Sequence, residues 1–401
     1  MIECKLCGKA VHSIALHIKK EHAEISLEEY QASFPDAPLL SEAAKAKIEA
    51  KKKATDPSTI VDEIISPESK EGKVAEEKPT FPKGKKPLHE AFKLGKVKAA
   101  MTATGKAIPV TVLEKPIADT ELVPDFDEDY VFDVETLKSC MMGIELNIPT
   151  YIWGHAGVGK STFWENVAAA TNRRLRRVQH TPNTEESHIV GQYVVKHVED
   201  PKTGELKPKT EFELGDLPVA MLNGDIYMAD EYDRAYPNVL SVYQAVLEGK
   251  SLHIKEAPPE YRYIKPHPNF RFVATGNTNG SGDETGLYQA TVLQDAATFE
   301  RYGIVEKIEY MTPKKEEAII MRKTGLVESD AKKIVAFGNK IRQAYPNEIS
   351  LTVGPRVLLN IAKIGLLRGD FVKGVIVAFT NRLPEAEAQA ALSIAQRTLT
   401  S

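Results

Sequence analysis

One stretch constrains this chain more than any other: Tyr151-Ile152-Trp153-Gly154-His155-Ala156-Gly157-Val158-Gly159-Lys160-Ser161-Thr162. It reads as the end of an apolar strand, then G-x-x-x-x-G-K-S, then the start of a helix. Glycines at those positions let successive backbone N–H groups turn toward one point, and the helix behind them adds its positive N-terminal end. That is a cradle for phosphate. Lys160 is spaced to reach the β- and γ-phosphates of a nucleotide, and Ser161 to ligate Mg²⁺. The candidate nucleotide-binding residues are therefore Gly154, His155, Ala156, Gly157, Val158, Gly159, Lys160, Ser161 and Thr162.

The rest of the composition limits what such a loop can serve. With 401 residues the chain has room for two or three domains. A net charge of −4 gives no overall basic field, so any contact with nucleic acid must be local. No apolar run approaches bilayer length and the N-terminus has no signal-peptide pattern, which predicts a cytoplasmic protein with no membrane partner. Of three cysteines, two are Cys4 and Cys7, a pattern that favours a metal knuckle in a reducing compartment over a disulfide framework.

Cys4 and Cys7 form a C-x2-C turn whose thiolates can grip one ion, and His17 and His22 lie five apart on a predicted short helix. Two sulfurs and two imidazoles suit tetrahedral Zn²⁺, with His12 as a competing ligand. The interval from Cys7 to His17 is shorter than in the common DNA-reading finger. With Ser26-Leu27-Glu28-Glu29-Tyr30 and Phe34-Pro35 following, residues 1–40 resemble the Ros/MucR-type zinc finger of bacterial regulators. That resemblance implies DNA as a partner. Lys5, Lys9, Lys19 and Lys20 could meet phosphates, diluted by Glu21, Glu24, Glu28 and Glu29, and a finger this small could equally dock a protein. Residues 41–120 have the Lys, Glu, Ala and Pro composition of a largely disordered linker.

Further signals follow the phosphate loop. Tyr130 to Phe132 stand where a segment could pass under a nucleotide base, or could simply pack in the core. Asp225-Ile226-Tyr227-Met228-Ala229-Asp230-Glu231 is an apolar strand ending in two carboxylates, roughly seventy residues after the loop. Asp230 would hold the Mg²⁺ hydration shell, and Glu231 would orient and activate an attacking water. Phe270-Arg271-Phe272-Val273-Ala274-Thr275-Gly276-Asn277 is another strand. Between the two motif strands of a parallel sheet it would aim Asn277 at the γ-phosphate. A helix over Asp295 to Arg301 precedes a strand predicted over 304–310. Arg301 either reaches a neighbouring subunit's phosphate or makes a surface ion pair with Glu300 or Asp295. Residues from Thr312 onward are helical by period, and Val353-Gly354-Pro355-Arg356 starts a helix from which Arg356 could close onto the phosphates. Gln192 to Leu214 reads as a β-hairpin, with a second excursion through His253 to Tyr263.

The order of loop, Asp-Glu, Asn, Arg and helical-segment Arg resembles the AAA+ family. More narrowly it resembles the MoxR branch and, within it, the cobaltochelatase ATPase subunits of the CobS type. The residues that carry this are Gly191 after Ser187-His188-Ile189-Val190, Asp230-Glu231-Tyr232-Asp233, His267-Pro268-Asn269-Phe270-Arg271, Ala274-Thr275-Gly276-Asn277-Thr278 and Gly282-Asp283-Glu284-Thr285-Gly286-Leu287-Tyr288. The resemblance implies an α/β fold: an AAA+ P-loop core with a parallel sheet over 121–311 and a helical lid over 312–401, preceded by the small finger and linker. It implies ATP and Mg²⁺ as cofactors and a homo-oligomeric ring, a hexamer, in which Arg301 acts in trans and Arg356 in cis. It also implies a protein client, in relatives often with a von Willebrand A-domain partner. The candidate catalytic set is thus Asp230, Glu231, Asn277, Arg301 and Arg356. Three uses of the motor stay open: remodelling a partner protein or complex, a DNA-associated motor recruited through the finger, and a nucleotide-gated scaffold with little turnover.

Overall fold

The computed structural model describes residues 2–11, single positions between 18 and 38, and residues 84–400 apart from 96, 117, 200–205 and 284. The fold divides into two compact units, Met1–Pro79 with Thr102–Lys106, and Thr80–Met101 with Ala107–Ser401.

In the small unit, β1 (Ile2–Glu3) pairs antiparallel with β2 (Ala10–Val11). The turn between them is closed by Cys4 N–H donating to the Lys9 carbonyl at 2.9 Å, with Gly8 in the left-handed region at φ 72°. Cys4, Ile18 and Tyr30 are buried together, and the Tyr30 hydroxyl accepts from Lys5 N–H at 3.0 Å.

The large unit starts earlier than composition suggests. β3 (Lys85–Pro87) and β4 (Pro109–Thr111) pair antiparallel, and Leu88, Phe92, Val110 and Val112 share a core cluster with Phe132 and Phe163. Residues from Gly84 therefore depart from the expected linker over 41–120. Their apolar side chains are few, but these four all point inward, and a composition window averages them away among the lysines.

The main sheet is parallel throughout. β5 (Thr150–Trp153), β6 (Leu175–Gln179), β9 (Ile226–Asp230), β12 (Arg271–Gly276) and β13 (Ile304–Lys307) lie in the order β13-β5-β12-β9-β6. Alternation along each strand sends Tyr151, Tyr227, Ala229 and Ala274 to one core, and Ile152, Ile226, Met228 and Val273 to the other. Both faces being buried explains why these strands read as continuous apolar runs. Helices α1 (Val134–Leu146) and α2 (Lys160–Ala170) pack on the second face, and α3 (Asp216–Asn223) on the first. Two ribbons leave this core, β7 (Gly191–Glu199) with β8 (Leu206–Leu214), and β10 (Leu252–His253) with β11 (Tyr263–Ile264). Asp200 to Gly204, the expected hairpin turn, lies outside the described residues.

Near Arg301 the local prediction is too generous. Only Ala296–Phe299 is helical, started by Asp295 accepting from Thr298 N–H at 2.8 Å, and β13 stops at Lys307. The C-terminal part is helical as expected: α4 (Pro313–Thr324), α5 (Glu328–Ala344), α6 (Pro355–Arg368), α7 (Phe371–Ala378) and α8 (Glu385–Leu399) surround Phe337, Leu358, Ile361 and Phe379. Inside it, Arg342 and Glu316 form a buried two-bond ion pair at 2.8 and 2.7 Å. Among the described residues no helix is long and apolar enough to cross a membrane.

Candidate nucleotide site

β5 delivers the chain into the glycine-rich turn and α2 carries it away, so the loop sits at the carboxyl end of the sheet. Gly154 has φ 151°, and a Cβ there would lie 2.1 Å from the Ile308 carbonyl oxygen, which is why no larger residue fits. Lys160 folds back over the loop. Its ammonium donates to the Gly154 carbonyl at 2.7 Å, the His155 carbonyl at 3.1 Å and Asn277 Oδ1 at 3.1 Å. Burial lowers its pKa to about 8, against the upward pull of Asp233, Asp230 and Glu231.

The Asp-Glu pair stands at the end of β9. Asp230 is 2% exposed. Its Oδ1 accepts from Ser161 Oγ at 2.9 Å and from Thr275 Oγ1, and its Oδ2 from Arg177 Nε at 2.7 Å. A hydroxyl and a carboxylate converging at the mouth of the loop are oxygen donors of the kind Mg²⁺ takes. Glu231 adopts the left-handed conformation at φ 53°, uncommon for a residue with a side chain. Its Oε2 accepts from Gln179 Nε2 at 2.9 Å and Arg234 Nη1 at 2.6 Å.

β12 lies between β5 and β9, the position that brings its carboxyl end to the loop. Asn277 is fixed there by a residue further along the Asp-Glu strand's exit. Asp233 Oδ2 accepts from Asn277 N–H at 2.8 Å, Thr278 N–H at 2.8 Å and Thr278 Oγ1 at 2.9 Å. Asp233 is fully buried, and burial raises its carboxyl pKa despite those bonds.

A cleft of about 470 Å³, within the range of small-molecule sites, is lined by Lys160, Ser161, Asp230, Glu231, Asn277 and Arg356 among others. Four of the five predicted catalytic side chains therefore meet at the phosphate loop. Arg301 does not. Its Nε donates to Glu248 Oε1 at 2.7 Å and its Nη1 to the Ala297 carbonyl, so of the two readings an ion pair is present, but with Glu248 rather than Glu300 or Asp295. On the other side of the loop a second cleft is lined by Tyr130, Val158, Phe163, Ile308 and Tyr310. Of the aromatic segment, Phe132 packs in the core, while Tyr130 lines this cleft and donates to the Gly159 carbonyl at 3.3 Å.

Sequence reasoning missed Arg177, Gln179, Arg234 and Thr275 as cleft residues. Gln179 ends β6 and Arg234 lies in the turn after β9, whereas Arg177 and Thr275 lie within β6 and β12 and carry no local signal. It also missed Tyr288 as a loop contact: its hydroxyl accepts from Ala156 N–H at 3.0 Å and lies 3.0 Å from His155 Nδ1.

In the small unit, Cys4, Cys7 and His22 offer ligand atoms within 4.8 Å of one another. Burial opposes the Cys4 thiolate, but hydrogen bonds from the backbone of Leu6 and Cys7 and the side chains of Cys7 and Tyr30 together hold the thiol below its ordinary range. Two thiolates and an imidazole at that separation fit a tetrahedral zinc site. The fourth expected ligand, His17, and its competitor His12 lie outside the described residues.

Residues 149–292 match the family model of the AAA domain (dynein-related subfamily), and residues 316–394 that of the CbbQ/NirQ/NorQ C-terminal region. Aerobic cobaltochelatase subunit CobS of Sinorhizobium sp is 33% identical over 273 residues, 66% of this chain and 79% of that protein. The chain belongs to the AAA+ ATPases of the CbbQ/NorQ/MoxR type. As a member it is an ATP-hydrolysing enzyme, for which ATP and Mg²⁺ are the expected cofactors. AAA+ ATPases of this type commonly form oligomeric rings and act on partner proteins. This member is also similar to the gas vesicle ATPase GvpN of Ancylobacter aquaticus, 24% identical over 69% of this chain and 75% of that one. Protein NorQ of Paracoccus denitrificans is 23% identical over 60% and 79%. Among solved structures, the Thermotoga maritima RuvB Holliday junction branch migration motor matches with a TM-score of 0.39 and 14% identity, over 68% of this chain and 72% of that one.

Proposed function

We propose that this AAA+ ATPase is a hexameric ring motor that hydrolyses MgATP to remodel a partner protein or complex. One observation carries the reading: Lys160, Ser161, Asp230, Glu231, Asn277 and Arg356 converge on one cleft, while Arg301 is held outside it. Lys160 and the loop amides hold the β- and γ-phosphates, Ser161 and Asp230 hold Mg²⁺, and Tyr130 packs against the base. Glu231 activates the water, Asn277 orients it, and Arg356 closes from the lid in the same subunit. Arg301 neutralises developing charge in the site of the neighbouring subunit. Glu231→Gln should bind ATP and hydrolyse it at least about a hundredfold more slowly. Near-normal turnover in that variant refutes the assignment of Glu231.

The client is a protein. One similar chain is named a subunit of aerobic cobaltochelatase and another a gas vesicle ATPase; a von Willebrand A-domain partner, which the family resemblance implies, is the type to seek first. Cobalt chemistry is not part of this reading. The small unit binds Zn²⁺ through Cys4, Cys7, His17 and His22, and serves to recruit. The Cys4–Cys7–His22 cluster also favours a second reading, a motor brought to DNA. A mobility-shift assay of the 401-residue chain with zinc, with and without Lys5, Lys9, Lys19 and Lys20, separates the two: shift lost with the lysines supports DNA, and no shift at low salt removes it.

A further inference from the structure

Glu231 is the strained member of the cleft. Its φ of 53° belongs to a conformation that costs a side-chain-bearing residue of order 1 kcal/mol or more and persists where the surroundings over-determine it. The surroundings here are specific. Its N–H donates to Thr275 Oγ1 at 3.1 Å, and the 3-10 turn Tyr232–Arg234 follows at once, with Arg234 N–H donating to the Glu231 carbonyl at 3.0 Å. This turn brings the Arg234 side chain back onto the carboxylate it follows, Nη1 to Oε2 at 2.6 Å. Arg234 lines the same cleft, and its Nε is buried without a hydrogen-bond partner, so among the described residues its recorded polar side-chain contact is with Glu231.

We propose that Arg234 is a positioning residue for hydrolysis: it sets the direction of the Glu231 carboxylate toward the attacking water and is not itself a nucleotide ligand. An exposed i,i+3 ion pair would matter little. This one differs because the carboxylate it holds is the general base and the backbone bearing that carboxylate is strained. Gln179 donates to the same oxygen from β6 at 2.9 Å, so two donors fix Oε2, and removing Arg234 leaves Gln179 alone to orient the carboxylate. A displacement of about 1 Å at such a group is enough for a large loss of rate. The proposal rests on Glu231 activating the water.

The test is a double-mutant comparison in the 401-residue chain, with steady-state ATPase and fluorescent-ATP binding measured on the same preparations. Arg234→Ala should lower kcat about tenfold or more with KM for ATP unchanged within about twofold, and Arg234→Lys should recover part of kcat. In the Glu231→Gln background, adding Arg234→Ala should change neither the residual rate nor the ATP affinity. Loss of ATP affinity in that background overturns the proposal, because Arg234 then contacts nucleotide or supports the cleft generally. Full kcat in Arg234→Ala overturns it too. If Glu231→Gln itself turns over normally, the underlying assignment of Glu231 fails instead, whatever Arg234 does.

Discussion

Ser161 Oγ donates to Asp230 Oδ1 at 2.9 Å, joining the first turn of the loop helix to the end of β9, which lies beyond β12 from the β5 strand that leads into the loop. That bond spans the two halves of an expected Mg²⁺ site, with Thr275 of β12 donating to the same oxygen. Asp230→Asn keeps the size and shape of the group but removes the charge that a divalent cation requires.

We expect Asp230→Asn to lose about a hundredfold or more of its Mg²⁺-dependent turnover, while ATP binding without Mg²⁺ changes little. Titrating Mg²⁺ in parallel binding and ATPase assays checks this. Equal loss of metal-free binding would instead make Asp230 a support of the cleft through Ser161, Thr275 and Arg177.

The Lys160 ammonium is poised to titrate near pH 8, because burial outweighs its acidic neighbours. Phosphates beside it favour the charged form, so ATP raises this pKa. Binding is then at full strength below the pKa of Lys160 in the nucleotide-free protein and weakens as pH climbs through and above it, with a proton taken up on binding in that window. Calorimetric titrations one unit below, at and one unit above that value, in two buffers of different ionisation heat, should show uptake rising with pH. Lys160→Met should abolish the uptake.

Asp233 gathers three donors from the Asn277–Thr278 turn while fully buried. Asp233→Ala leaves those donors without an acceptor, at about 2–4 kcal/mol, and frees Asn277 from its position. Thermal unfolding should report the first effect. An ATPase rate that falls further than unfolding explains, measured well below the transition, should report the second.

Much of this site is legible in the chain because it is built from contiguous runs. The loop at 154–162, the apolar strand ending at Asp230-Glu231 and the strand before Asn277 each announce their own geometry, and the strand order follows from where they must meet. The contacts that tune the site join residues distant in sequence. Arg177 reaches Asp230 from β6, Glu248 holds Arg301, and Tyr288 meets Ala156, and no local period signals such pairs. Residues 84–112 failed for a different reason: four inward apolar side chains stabilise a short ribbon against a core supplied by residues elsewhere. The helix expected up to Arg301 failed at its end, where propensity is weakest and the chain turns into β13.

For the small unit, the cluster of Cys4, Cys7 and His22 leads us to expect one Zn²⁺ per chain by metal analysis, lost on Cys7→Ser. ATPase activity should survive that loss, since the described lining of the cleft runs from Ala156 to Arg356 within the large unit.

We propose that each cleft is completed by Arg301 of a neighbouring subunit. Arg301→Ala and Glu231→Gln chains, each inactive alone, should regain ATPase activity when mixed and reassembled, because a site with intact Glu231 then meets an intact Arg301. Activity should peak at intermediate ratios. If mixed oligomers form and no ratio exceeds the separate variants, Arg301 does not act in trans and the claim is wrong.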